Sequence, residues 1–279
     1  MTNEASKQNR IRLANALSTW HSWHVELSSQ PRVLRDLSSG TTNSSYIVGS
    51  DKRKDGISWP AGNQKKYCLR LNADNSTVLG IKRETEYTIL EQLKGTGLSP
   101  KILHYNTKLD FCVFEYITGR SWSRSDLTRL TQRRRLEELL TQVQRVRVKV
   151  PACDYLAYVQ NYLNQIEQLA PDSLRAFGDA LPEFLAELKT FMVSGWTPVL
   201  CHHDLIPENI LETDDGLVLL DWEYASLGHP DFDQRYVRHC LDSHLEQSQG
   251  SLLSGDTLDR LIYWLVILWQ KLGGLTVKA

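Results

Sequence analysis

His202, Asp204 and Asn209 stand at the spacing H-x-D-x-x-x-x-N inside CHHDLIPENILETDDGLVLLDWEYASLGHPDFD, residues 201–233, and a further acid, Asp221, follows them. These residue types suit the transfer of a phosphoryl group, which asks little covalent work of a protein and much positioning and charge neutralisation by magnesium. Asn209 and Asp221 offer hard oxygen ligands for that ion, and Asp204 would accept the proton of an acceptor hydroxyl or orient it for in-line attack. His202 would brace the loop through hydrogen bonds. Asn209-Ile210-Leu211 and Leu217-Val218-Leu219-Leu220 read as short strands around the turn Asp214-Asp215-Gly216, a hairpin that folds Asp221 back beside Asn209. Taken alone, His-His-Asp also suits a metal-hydrolase site, and an Asp-Gly turn is commonly solvated surface. The loop spacing, the hairpin and the Asp-Trp-Glu that closes it are together far more specific.

The same stretch resembles the catalytic signature of the aminoglycoside phosphotransferase and choline kinase superfamily, and LLDWEYASLGHPDFD is most similar to its choline kinase and thiamine kinase branches. That resemblance implies a small-molecule kinase on the protein-kinase fold, using ATP and magnesium. It implies Asp204 as catalytic base, with His202 beside it in the catalytic loop, and Asn209 and Asp221 as magnesium ligands. Trp222-Glu223 stands in place of the Phe-Gly that follows this Asp in protein kinases. One departure is His203, where relatives commonly carry a small or polar residue such as Gly or Asn; loop geometry is left open there.

These residues need a scaffold. Arg10 to Trp23 has helical character, Val33 to Leu37 reads as a strand, and Tyr46-Ile47-Val48 as its return. The small-residue turn between them places Gly40, Thr41, Thr42 and Asn43 where backbone N–H groups would lie over phosphates, a turn similar to the Gly-x-x-Asn turn of the superfamily. Residues 51–66 are polar and turn-rich, an expected exposed connection. In the strand Tyr67 to Leu71, alternation sets Arg70 and Cys68 against Tyr67, Leu69 and Leu71. A cation there needs an anionic partner. In the helix Lys82 to Lys94, Glu86 shares a face with Ile89, Leu90 and Leu93, whereas Glu84 lies on the polar face, so Glu86 is the better partner. By resemblance Arg70 stands where protein kinases have their phosphate-binding lysine, and Arg70 with Glu86 would organise the nucleotide phosphates. An ordinary surface pair is the alternative. Two further strands, Lys101 to Tyr105 and Phe111 to Ile117, lead to Thr118-Gly119. In the kinase-like architecture Glu115, Tyr116 and Ile117 would be the hinge that offers backbone groups to adenine.

Beyond Ser121 long helical stretches follow, at 127–148, 154–169, 181–193, 233–245 and 257–272. A strand-rich part followed by a helix-rich part predicts an α+β, two-lobe fold: an antiparallel-sheet lobe, 1–117, binding nucleotide and a mainly helical lobe, 118–279, holding catalytic and acceptor groups. With 279 residues, 41% apolar and 23% charged, the chain can bury a sizeable core. A net charge of −1 leaves no electrostatic footprint for nucleic acid, and Arg133-Arg134-Arg135 reads as a solvated helix face. Cys68, Cys112, Cys153, Cys201 and Cys240 show no C-x-x-C spacing, which suits a reducing cytoplasm, and the polar N-terminus and short apolar runs predict no membrane insertion.

Candidate acceptor-binding groups are Glu223, Asp231, Trp264 and Trp269, an acidic and aromatic set of the kind that holds a cationic alcohol. Trp264 and Trp269 are five apart and do not share a helix face, so at least one belongs to the core. The expected partner is therefore a small cationic alcohol such as choline or thiamine, with aminoglycosides as the runner-up. A nucleotide-binding pseudokinase scaffold is the alternative of another class, disfavoured because a binding-only protein has no need of a base at Asp204.

Overall fold

The computed structural model describes residues 2–27, 29–37, 43–50, 65–242 and 255–276. The expected connection at 51–66 therefore falls almost wholly outside the described residues. The chain divides into two compact units, Met1–Asp74 with Lys94–Thr118, and Asn75–Leu93 with Gly119–Ala279. It is an α+β fold, with a five-stranded antiparallel sheet in the first unit and a mostly helical second.

In the first unit the helix α1 (Thr2–Ser18) precedes β1 (Arg32–Asp36), β2 (Ser44–Gly49), β3 (Lys66–Leu71), β4 (Ile102–Tyr105) and β5 (Phe111–Glu115). The sheet order is β1-β2-β3-β5-β4, antiparallel throughout. Because strand side chains alternate, β3 presents Tyr67, Leu69 and Leu71 to one face, where they pack with Tyr46, Val48, Phe111 and Val113 and with Ala16 and Trp23. Arg70 and Cys68 fall on the other face. The strand predicted to run to Ile117 leaves its ladder after Glu115, whose N–H still bonds the Lys101 carbonyl at 2.9 Å.

The second unit begins with α2 (Arg83–Leu93) and continues with β6 (Arg120–Ser121), α3 (Arg124–Leu127), α4 (Leu130–Arg145), α5 (Tyr155–Leu169), α6 (Ala180–Met192), β7 (Val199–Cys201), β8 (Ile210–Thr213), β9 (Gly216–Leu219), β10 (Ser226–Gly228), α7 (Phe232–Asp242) and α8 (Thr257–Thr276). The helix predicted over 127–148 is α4, three residues shorter at each end, and ahead of it stands a short helix, α3, that was not expected and that starts after Ser123. Its backbone N–H and its hydroxyl both bond Asp126 Oδ2, at 2.8 and 3.0 Å, in a capping box that starts a short helix earlier in the chain. Arg120 then forks onto the same carboxylate at 2.7 and 3.0 Å and reaches Glu212 on β8, which also takes Arg135 from α4. These hydrogen bonds hold the Asp126 carboxyl well below its usual range.

The core of this unit lies between α5, α6 and α8, with Val159, Tyr162, Phe184, Leu261 and Leu268 at or near zero exposure. Leu79 and Ile81, ahead of α2, belong to the same cluster. Two small antiparallel groups, β6-β8-β9 and β7-β10, sit on this frame and carry the chemistry-bearing loops. The first requires a close approach: a Cβ on Gly119 would lie 2.6 Å from the Glu212 carbonyl oxygen and 2.9 Å from Leu211 Cγ. Gly119→Ala should therefore displace the start of β6 and destabilise this unit by about 1–3 kcal/mol, read as a lowered unfolding midpoint in urea, whereas Gly273→Ala, with open space around it, should not.

Candidate active site

The segment from Leu200 to Asp204 leaves β7 and turns sharply. Among the described residues only Leu109, His203 and Asp221 are non-glycine residues with positive φ, at 58°, 64° and 58°, so two of three fall in this segment and its hairpin. A left-handed residue costs about 1–2 kcal/mol, and something must hold it. At His203 the holder is Asp233, in the first turn of α7. Its Oδ2 accepts the His202 N–H at 2.7 Å and its Oδ1 the His203 N–H at 2.9 Å, with the carboxylate itself buried. Burial pushes this acid upward from the ordinary range while the histidine and the two N–H donors oppose the shift.

His202 is fully buried. Its Nε2 meets the Leu220 carbonyl at 2.7 Å and its ring packs on Trp222 at 4.9 Å between centroids. Burial lowers its pKa, which makes it a neutral brace between the loop and the residue before Asp221. The hairpin works from the other side: β8 pairs β9, and Leu220 N–H bonds the Asn209 carbonyl at 2.8 Å. Asn209 and Asp221 are thus brought to one end of the same two-stranded ladder.

Asn209 donates from Nδ2 to the Asp204 backbone carbonyl at 2.9 Å and to Asp204 Oδ2 at 3.2 Å. Its amide oxygen is then the end that could hold a metal ion. Tyr236 donates to Asp204 Oδ1 at 3.3 Å. Burial, reinforced by the nearby Glu223 carboxylate, pushes Asp204 up to about 6, against the pull of Tyr236 and Asn209. Among the described residues no three His, Cys, Asp or Glu side chains converge as an all-protein metal cage. Magnesium needs none, since it is bound through one or two protein oxygens together with phosphate and water, and a carboxylate plus an amide oxygen is such a set.

The other candidates are distributed between the units. In the first, Arg70 donates from Nε to Asn72 Oδ1 at 3.0 Å and lies over the Phe114 ring at 5.5 Å. Asn43 accepts the Ala73 N–H at 3.1 Å, whereas Gly40, Thr41 and Thr42 lie outside the described residues. Glu115 closes β5, and Tyr116 and Ile117 follow it, the Tyr116 ring lying 5.9 Å from Lys66 Nζ. In the second unit Glu86 is the buried acid of α2, whereas Glu84 is exposed. Arg83, one turn earlier, donates from Nη1 both to Glu86 at 2.8 Å and to Glu223 at 3.0 Å, and it also bonds Ser76. The i,i+3 spacing of Arg83 and Glu86 was a signal for the first contact; nothing in the sequence pointed to the second.

Asp231 is exposed and faces Arg235 at 3.7 Å. Of the two late tryptophans, Trp264 is the core one, stacked on Phe184 at 5.5 Å and edge-on to Phe177 at 4.9 Å. Trp269 is partly exposed and donates from Nε1 to the Tyr224 hydroxyl at 3.3 Å. Tyr162 and Tyr224 are close enough to Asp204 for its carboxylate to raise their phenols further, on top of the dominant effect of burial. Tyr158, Tyr162 and Tyr236 went unnoticed in the sequence because they sit at ordinary helical core spacings.

Residues 33–274 match the family model described as the phosphotransferase enzyme family. A curated relative, protein LicA of Haemophilus influenzae, is 58% identical over 53 residues, a match that spans 19% of this chain and 19% of that protein. Among solved structures, Plasmodium vivax ethanolamine kinase is similar with a TM-score of 0.68 at 17% identity, covering 88% of this chain and 76% of that one. Choline kinase LicA from Streptococcus pneumoniae is similar with a TM-score of 0.63 at 20% identity, covering 97% and 90%. These last two are likenesses of fold.

Removing the Asp233 carboxylate strands two backbone donors in a buried place. Asp233→Ala should cost roughly 2–6 kcal/mol at one to three per unsatisfied group, and Asp233→Asn, which keeps one acceptor, should cost less. Urea unfolding of both variants checks the order.

Proposed function

The chain belongs to the phosphotransferase enzyme family, and from that premise we propose that it transfers the γ-phosphoryl group of ATP to the hydroxyl of a small cationic alcohol, with choline and thiamine as the leading classes. The observation that carries this reading is the setting of Asp204. Both of its oxygens are held, by Asn209 and by Tyr236, and its raised pKa makes it a better proton acceptor than an exposed carboxylate. In the proposal Asp204 orients the acceptor hydroxyl and takes its proton as the oxygen attacks phosphorus. Asn209 Oδ1 and the Asp221 carboxylate would hold magnesium, which supplies charge neutralisation on the phosphates. Arg70 and Asn43 in the first unit would bind phosphate, and the backbone at Glu115, Tyr116 and Ile117 would bind adenine. Arg70 in the first unit and Glu86 in the second are each proposed to help organise the nucleotide phosphates.

What supports a cationic acceptor is the character of the groups around Asp204. Tyr236 touches it, Tyr224 and Trp269 are hydrogen-bonded to each other beside Glu223, and all three rings are partly exposed. Ring faces attract a quaternary ammonium group without needing hydrogen bonds from it. Glu223 adds negative charge that Arg83 partly offsets, so the aromatic surfaces would carry most of the recognition.

Two outcomes follow. Asp204→Ala should lower kcat by on the order of 10²–10⁴-fold while leaving ATP affinity near that of the parent, as measured by steady-state kinetics and nucleotide titration. In a panel of choline, ethanolamine, thiamine, sugars and aminoglycosides, a cationic alcohol should be turned over with kcat/KM at least about tenfold above its uncharged isostere. Efficient use of neutral sugars alone would overturn the acceptor assignment. Turnover of aminoglycosides alone would move the enzyme to that class, and binding of ATP with no turnover of any alcohol would favour the scaffold.

A further inference from the structure

His203 occupies a left-handed position, φ 64°, where a glycine or asparagine costs less, and its side chain explains why a histidine is there. Nε2 lies 2.9 Å from the Tyr155 hydroxyl, and Nδ1 lies 3.3 Å from Ser226 Oγ. The proton directions can be worked out. Tyr155 Oη accepts the His229 backbone N–H at 2.9 Å, so its single proton is directed to His203 Nε2. With Nε2 accepting, Nδ1 carries the ring proton, which faces Ser226 Oγ and the backbone carbonyls of Cys201 and Tyr224. Desolvation holds the imidazole down to about 3, so the ring keeps this neutral form throughout the working pH range. Its faces are packed too, edge-on to Phe232 at 4.5 Å and to Tyr155 at 5.7 Å. The room for this comes from Gly228, where a Cβ would lie 2.5 Å from both His203 Nε2 and Tyr155 Oη.

We propose that His203 is a positioning residue: a neutral strut that fastens the catalytic loop, one residue before Asp204, to Tyr155 on α5 and to Ser226 on β10. The strut has directional consequences. Tyr155 starts the face of α5 that continues one and two turns later with Tyr158 and Tyr162, which bond each other at 3.0 Å. The loop and this aromatic face thus share one hydrogen-bonded anchor, and the aim of Asp204 relative to the acceptor depends on it. Nucleotide binding does not enter this chain of contacts. The inference rests on Asp204 being the base.

The test is kinetic. His203→Asn keeps a residue that tolerates positive φ but removes the reach to Tyr155, and Tyr155→Phe removes only the hydroxyl while keeping the ring stacked on Phe232 at 5.5 Å. Each single variant should lower kcat by roughly 10–100-fold, the scale of an ångström-level misplacement, with KM for MgATP within about twofold of the parent. The double variant should be no worse than the poorer single one. A merely structural role would lower the thermal midpoint without splitting kcat from the nucleotide KM. Folded single variants with parental kcat, or losses that multiply in the double variant, would overturn the proposal. Should His203→Asn fail to fold, Tyr155→Phe alone decides it by the same split. Asp204→Ala assayed alongside separates the two hypotheses: if it retains turnover the base assignment falls, and if it is inactive while Tyr155→Phe is unimpaired only the strut falls.

Discussion

The carboxylate of Asp233 holds the loop that carries His202, His203 and Asp204 by its backbone. Two consecutive N–H groups, from His202 and His203, end on its two oxygens, and this fixes a peptide that would otherwise relax out of the left-handed conformation at His203. Everything downstream inherits that geometry. His202 can reach the Leu220 carbonyl only because its own backbone is pinned, and Asp204 meets Asn209 and Tyr236 from the position the pinned turn gives it. A carboxylate in this role is favoured over a neutral amide because it accepts twice and binds N–H donors more strongly than an uncharged oxygen does.

Much of the scaffold was legible in the sequence for a simple reason: long elements repeat their pattern. Alternation in 67–71 assigned the two faces of β3, and helical periodicity separated the buried Glu86 from the exposed Glu84. Short elements repeat nothing. The strands β6, β7 and β10 span two or three residues, too few for any period, yet they are the supports from which the loops hang. The short α3 was hidden for another reason, since a four-residue helix begun by the capping box at Ser123 and Asp126 lies ahead of the periodic stretch that marks α4.

The site itself was read unevenly. The spacing of His202, Asp204 and Asn209 and the hairpin before Asp221 are local, and local geometry places them as expected from turn chemistry. Non-local partners carried no sequence signal. Arg83 meets Glu223 across 140 residues, Tyr155 meets His203 across 48, and Asp233 meets His202 across 31. Trp264 and Trp269 were known not to share a face, but only packing against Phe177 and Phe184 decides which of them is core.

The β8–β9 hairpin separates chemistry from connection. Its working end carries Asn209 and Asp221, locked by the Leu220 to Asn209 bond, while its tip at Asp214 and Asp215 is exposed and held only by Thr213, whose hydroxyl bonds the Asp215 N–H and the Gly216 carbonyl. Ladder pairing insulates one end from the other. The tip is thus a natural place to graft a label or an affinity handle: a short insertion between Asp214 and Asp215 would ride on the same ribbon as both proposed metal ligands without disturbing them.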